Sequence, residues 1–118
     1  MRSEEKNAAY LWDMLDAAKT VQSFIKGKKF GQYMKDKKLQ YATERAIEII
    51  GEAARHISED YQESHSEIPW RGIIGQRNML AHEYGEIRQE RLWLVASKRI
   101  PELIKLLSPL LPPLPKTE

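Results

Sequence analysis

Residues 42–57 read ATERAIEIIGEAARHI, and their spacing decides the fold. Ala42, Ala46, Ile49, Ile50, Ala53 and Ile57 recur at steps of three and four, which lines them along one face of an α-helix. The helix is expected from about Asp36 to Ser58. Small residues dominate that face, and Ala42, Ala46, Gly51 and Ala53 allow a neighbouring helix to come close. Glu44, Glu48 and Glu52 follow at four-residue steps and share a second face. Such rows are usually solvated, but Glu48 and Glu52 are candidates for lining a cleft.

Upstream, Leu11, Met14, Ala18, Val21 and Ile25 form a second stripe, which predicts a helix from about Glu4 to Lys26 with Ser3 as its N-cap. Gly27 and Gly31 bracket a lysine-rich segment, read as the turn between the two helices. Lys26, Lys28, Lys29, Lys35, Lys37 and Lys38 face a single acid there, Asp36. The run is either a solvated loop or, beside a cleft, a set of RNA phosphate contacts.

Downstream, the polar segment Glu59–Ile68 loses its periodicity and is expected to be a loop. Pro69 fits the first turn of a third helix, whose Trp70, Ile73, Ile74 and Leu80 can pack inward. Gly85 reads as the stop of that helix. A last helix is expected from Glu86 or Ile87, with Leu92, Val95, Ala96, Ile100, Leu103 and Leu107 buried and a kink or restart at Pro101. Ser108–Pro115 holds four prolines and is expected to be extended. The pattern is all-α: an antiparallel bundle of four to five helices in one domain over residues 1–108, followed by a proline-rich tail over 109–118.

Composition narrows the function. A chain of 118 residues, 42% hydrophobic and 31% charged, fits one globular domain. It contains no run near the ~20 apolar residues of a membrane span and no secretory pattern at its start, so a cytoplasmic location is expected. With no cysteine, thiolate chemistry and cysteine-ligated zinc are excluded, and His56, His65 and His82 do not follow a metal-ligand spacing. No metal or cofactor is expected. His56 and His65 are expected at the surface or beside loops.

The chemistry concentrates in residues 77–84, RNMLAHEY. On a continued helix Asn78 and His82 form an i,i+4 pair, and Arg77 and Tyr84 align seven residues apart, so the four wrap one edge. Arginine presents a permanent positive fork matched to phosphate oxygens, with a pKa above ~12. Histidine, ordinarily titrating near ~6.5, can carry the proton. The pair suits 2′-hydroxyl attack on an RNA phosphodiester. Spacing alone fits equally well a polar network that caps the helix and pairs with the glutamates of residues 44–52.

At these residues the sequence resembles the HEPN superfamily, and within it the HepT-like toxins with Arg-x4-His-x-Tyr, here Arg77, His82 and Tyr84. AIEIIGEAARHIS at 46–58, IPWRGIIGQRN at 68–78 and LWLVASKRIPELI at 92–104 are also similar to family blocks. The resemblance implies a helical homodimer whose two motifs line a shared cleft. It also implies metal-independent RNA cleavage, with Arg77 and His82 catalytic and Asn78 supporting them. An MntA-like minimal nucleotidyltransferase antitoxin that adenylylates Tyr84 is the implied partner. An alternative is a non-catalytic helical partner that presents Tyr84 or a nucleotide to such a nucleotidyltransferase.

Overall fold

A computed structural model describes residues 3–111, with the side chains of all but Ser3, Glu4, Arg77, Met79 and Leu80. Four helical rods form the body: α1 (Ser3–Ile25), α3 (Lys37–Arg55), α5 (Trp70–Ala81) and a continuous run of α6 (Gly85–Leu94), a π turn (Val95–Arg99) and α7 (Ile100–Leu107). Two short helices, α2 (Phe30–Met34) and α4 (Glu59–Ser64), join them. The described residues contain no strand. The expected all-α bundle is present, but two of its connections are helical, so the expected four to five helices undercounts the segments.

The helix α3 is the central rod. Asp36 starts it, its side chain accepting the Leu39 N–H at 3.0 Å, and at its end the carbonyls of Ala53 and Ala54 accept the N–H groups of His56 and Ile57, both at 3.1 Å. Leu39, Thr43, Ala46, Ile47, Ile50, Ala53 and Ala54 are buried. On one side α1 brings Leu11, Met14, Ala18 and Val21 into the same core. On the other side α5 comes so near that a Cβ on Gly51 would lie 3.2 Å from the Ile73 carbonyl oxygen. Asn7 near the start of α1 meets Ser58 just past the end of α3, so these two helices run antiparallel. The Asn7 side chain donates to Ser58 Oγ and accepts the Ser58 N–H, both at 3.0 Å. Asn7 is buried, and this pair of hydrogen bonds gives both its amide oxygen and its amide nitrogen a partner.

The lysine-rich segment contains α2, a correction to its reading as a turn. Gly27, at φ +74°, turns the chain out of α1. Gln32 Oε1 then accepts the Lys29 backbone N–H at 2.8 Å. Tyr33 is fully buried, packs on Trp93 with ring centroids 5.3 Å apart and planes tilted by 45°, and donates its hydroxyl hydrogen to Gln89 Oε1 at 2.6 Å. Gln40 closes the far end by donating to the carbonyls of Tyr33 and Met34. Lysines surround this single anchor, so no apolar period marked it.

The expected loop Glu59–Ile68 is likewise half helix. Ser58 caps α4, its Oγ accepting the Tyr61 N–H at 3.3 Å, and Glu59 and Asp60 occupy the dipole-favoured first turn. No residue of α4 is buried, which is why it left no stripe. Ile68 and Trp70 are buried behind it, with Trp70 Nε1 donating to the His65 carbonyl at 3.0 Å. Pro69 stands before α5 rather than in its first turn, its carbonyl accepting the Ile73 N–H at 3.0 Å.

Further corrections fall at the later glycine and prolines. Gly85, at φ +58°, opens α6 instead of closing α5, which ends at Ala81. Ahead of Pro101 the helix widens to a π turn, the Ile100 N–H reaching the Val95 carbonyl. The proline can donate no hydrogen bond, and its ring would press on the preceding turn of an ordinary α-helix. Leu92, Ala96, Ile100, Leu103 and Leu107 are buried as expected, while Val95 is half-buried. Ser108–Leu110 forms a 3-10 turn, not an extended segment. Pro112 to Glu118 lie outside the described residues, as does the side chain of Ser3 expected to cap α1.

Two tests address these contacts. An alanine at Gly51 gains roughly 1 kcal/mol in helix propensity but crowds α5, so Gly51→Ala should be nearly neutral. Gly51→Leu should lose about 1–3 kcal/mol by overpacking, read by urea unfolding. Burial, aided by the charge of Glu44, pushes the Tyr33 hydroxyl above its ordinary pKa of 10.0. The fold therefore favours the neutral phenol, a contribution present below about pH 10 and lost as pH rises beyond it. Unfolding free energy should fall less steeply above about pH 10 in Tyr33→Phe than in the parent.

Candidate functional site

The motif straddles the end of α5 and the start of α6. Arg77 and Asn78 lie on the last turns of α5, and His82 occupies the turn directly after Ala81. Glu83 lies outside both helices, and Tyr84, extended at φ −133°, ψ 156°, is the N-cap residue of α6. This removes the expected helical alignment of Arg77 with Tyr84, because the helix stops three residues before the tyrosine. The side chain of Arg77 lies outside the described ones, so only its place on α5 is given.

Asn78 and His82 are exposed, and Tyr84 is 77% exposed. A hydroxyl so placed is open to a second macromolecule. His82 likewise stands in solvent, and the described side chains do not form walls that would exclude water from a reacting phosphate there. The described side chains of this edge, Asn78, His82 and Tyr84, are therefore open to solvent.

Two ion pairs hold the segment that carries these groups. Glu83 Oε1 accepts from Arg91 Nε at 2.8 Å, tying the residues between the helices to the second turn of α6. Glu44 Oε1 accepts from Arg88 Nε at 2.7 Å, tying the first turn of α6 to α3. The Arg88 N–H also reaches the Tyr84 carbonyl at 3.4 Å. Glu44 is only 19% exposed, which strengthens its pairing relative to a surface bridge. Neither pair was foreseen. Glu83 and Arg91 span an element boundary, and Glu44 and Arg88 are 44 residues apart, so no local spacing marks them.

Of the glutamate row, Glu44 is thus the member that reaches the motif's surroundings. Glu48 and Glu52 pair with Arg45 at 3.3 and 3.5 Å. They edge a shallow groove of about 50 Å³ between α3 and α5, together with Ile73 and Gln76.

A larger groove of about 530 Å³ lies between α3, α5 and the last rod, floored by Ile47, Ile50, Ile73, Val95 and Leu103. Arg91, the partner of Glu83, stands on its wall, so the groove opens beside the motif. Leu94 on the same wall and Ile87 one turn beyond Glu83 are exposed apolar side chains. Lys26, Lys28, Lys29, Lys35, Lys37 and Lys38 are all exposed around α2, and none pairs with a carboxylate among the described residues. His56 is exposed beyond α3 and His65 ends α4 with Glu67 3.4 Å away. Among the described residues no three His, Asp or Glu side chains gather to hold a metal, and no helix is long and apolar enough to cross a membrane.

A helical bundle that presents Arg-x4-His-x-Tyr where one helix gives way to the next is the architecture of a HEPN protein. The family model for HepT-like ribonucleases matches residues 14–110, and the chain belongs to that family. It is 37% identical over 97 residues to "Putative RNase MJ1380" of Methanocaldococcus jannaschii, covering 82% of this chain and 89% of that protein. It is 38% identical over 94 residues to "Probable ribonuclease HepT" of Thermococcus cleftensis, covering 80% and 86%. A protein of Caldanaerobacter subterraneus subsp. tengcongensis, "Putative RNase TTE0752", is 38% identical over 96 residues, covering 81% and 86%. No solved structure matches the chain.

If the Glu44–Arg88 pair holds the start of α6, Glu44→Ala should loosen it. Amide exchange of residues 85–90 should accelerate about fivefold or more, corresponding to ~1 kcal/mol of lost local stability, while α1 keeps its protection. Mass spectrometry of hydrogen–deuterium exchange reads both segments at once.

Proposed function

We propose that the chain is a metal-independent endoribonuclease toxin of a toxin–antitoxin pair. It acts as a homodimer and is switched off by an MntA-like minimal nucleotidyltransferase that adenylylates Tyr84. The observation that carries the reading is the exposed junction of α5 and α6, with His82 and a 77% exposed Tyr84 two residues apart in a chain of the HepT-like ribonuclease family.

In the reaction, His82 accepts the proton of the RNA 2′-hydroxyl. The 2′-oxygen attacks the adjacent phosphorus, and the bond to the 5′-oxygen breaks, that oxygen taking a proton from water. The products are a 2′,3′-cyclic phosphate and a 5′-hydroxyl. Arg77 neutralises charge on the crowded phosphate, and Asn78 supports the pair. The lysines around α2 draw the strand in.

The dimer supplies what a single protomer lacks. The exposed motif gains walls when a second copy faces it, and the adjoining apolar groove with Leu94 and Ile87 offers area to bury. Adenylylation joins the Tyr84 oxygen to the α-phosphate of ATP and releases pyrophosphate. The AMP then sets a negative phosphodiester and a base beside His82, which competes with RNA for the same cations.

Purified, unmodified protein should cleave total RNA in EDTA. His82→Ala and Arg77→Ala should each slow cleavage about 10²–10⁴-fold while remaining folded by circular dichroism. Cleavage by His82→Ala at the parental rate would overturn the assignment and favour a non-catalytic partner of the nucleotidyltransferase. Intact-mass spectrometry after co-expression with a neighbouring nucleotidyltransferase should show AMP increments that Tyr84→Phe lacks.

A further inference from the structure

Tyr41 is the one large aromatic side chain, apart from Tyr84, that stands exposed among the described residues, at 70%. It projects from the second turn of α3 and takes no part in the apolar core, which leaves its ring face available. Its helical neighbours are cationic. Lys37 lies four residues before it, Lys38 three before it and Arg45 four after it, so all share its face of the helix. The lysines carry no carboxylate partner among the described residues, whereas Arg45 is shared with Glu48 and Glu52. The face is therefore positive at the start of α3 and becomes neutral one turn beyond Tyr41.

This face adjoins the motif. Glu44, three residues after Tyr41, holds Arg88, and the Arg88 N–H meets the carbonyl of Tyr84. The Glu44–Arg88 pair thus joins the helix that carries Tyr41 to the first turn of the helix that Tyr84 precedes, with Lys37 and Lys38 one turn before Tyr41 and His82 two residues before Tyr84. An unpacked aromatic ring among unpaired cations is the arrangement that binds single strands. The cations hold the backbone and the ring stacks on a base of any identity. A duplex keeps its bases stacked on each other and cannot use such a ring.

We propose that Tyr41 is a base-stacking subsite for single-stranded RNA. The strand leaves His82, crosses the Glu44–Arg88 pair, stacks one base on Tyr41 and lays its phosphates along Lys37, Lys38 and Lys35. The proposal rests on the ribonuclease reading and adds to it a direction for the bound strand and a preference for unpaired RNA. A residue that binds this way acts on substrate affinity and not on the chemical step.

The test uses the full chain carrying His82→Ala, which holds RNA without cutting it, and fluorescence anisotropy with a labelled single-stranded oligoribonucleotide and its duplex. Tyr41→Ala should weaken single-strand binding about tenfold and leave duplex binding within about twofold. Tyr41→Trp should bind single strands as well as the parent or better. Lys38→Ala should weaken both RNAs alike and lower the salt dependence.

Equal single-strand affinity for Tyr41→Ala and the parent overturns the proposal, as does a loss that Tyr41→Trp fails to restore. A loss accompanied by a changed mass in light scattering also overturns it, assigning Tyr41 to subunit contact. If Tyr41→Ala with His82 intact cuts single-stranded RNA at the parental rate under limiting RNA, only the subsite falls. If the parent neither binds nor cuts RNA, the ribonuclease reading falls with it.

Discussion

Everything in this structure depends on how closely other helices can approach α3. Its buried face alternates branched aliphatics with alanines, and Gly51 leaves only 3.2 Å between the place of an added Cβ and the Ile73 carbonyl. That approach sets where α5 lies, and the end of α5 is where the motif begins. The same rod supplies Glu44, which holds the first turn of α6. Both ends of the motif are therefore referred to one helix, by backbone proximity at one end and by a half-buried ion pair at the other. Dispersion and hydrophobic burial fix the first, and a charge-assisted hydrogen bond fixes the second. The described side chains of the motif contribute little to the core, since Asn78, His82 and Tyr84 are exposed.

The long rods were legible because their apolar residues recur at helical intervals. Leu11, Met14, Ala18 and Val21 in α1 and Leu92, Ala96, Ile100, Leu103 and Leu107 in the last rod are buried where the spacing put them. What escaped was organised by single anchors. The short helix α2 turns on Tyr33 and its bond to Gln89, 56 residues away, and α4 on the cap from Ser58. A helix of five or six residues has too few positions to show a period. Gly85 was misplaced for a different reason. Its positive φ is real, but a left-handed residue serves the entry to α6 as readily as the exit from α5, and the choice depended on where α5 stops.

In the motif, residue types were more legible than their arrangement. Arginine, histidine and tyrosine carry their chemistry in the side chain, so their presence in eight residues pointed to phosphate and proton transfer. Their relative placement assumed a continuous helix, but α5 ends at Ala81 and Tyr84 is extended. The consequence is a division of labour. In the proposed reaction the groups on α5 and in the turn after it act on the phosphate, whereas Tyr84, 77% exposed at the entry of α6, is open to approach from outside. The exposed Tyr41 was invisible to the same reading, because a tyrosine three residues after two lysines carries no motif and its meaning comes from being unburied.

The π turn between Leu94 and Ile100 solves a problem of angular register. From Leu92 to Leu107 the buried side chains span 15 residues in four turns, an average of 3.75 per turn. At about 100° per residue an unbroken α-helix would carry Leu107 roughly 60° around from Leu92 and rotate it out of the core. The wide turn, with Ile100 bonded back to Val95, takes up that phase error in one place. Pro101 supplies the local reason for the widening, and the phase correction makes it useful along the whole rod. The last rod can thus keep its apolar stripe turned inward through the irregular turn, its π turn and α7 packing on α1 while α6 meets α2 and α3, and a single irregular turn stands in for the supercoil that such a sequence period would otherwise demand.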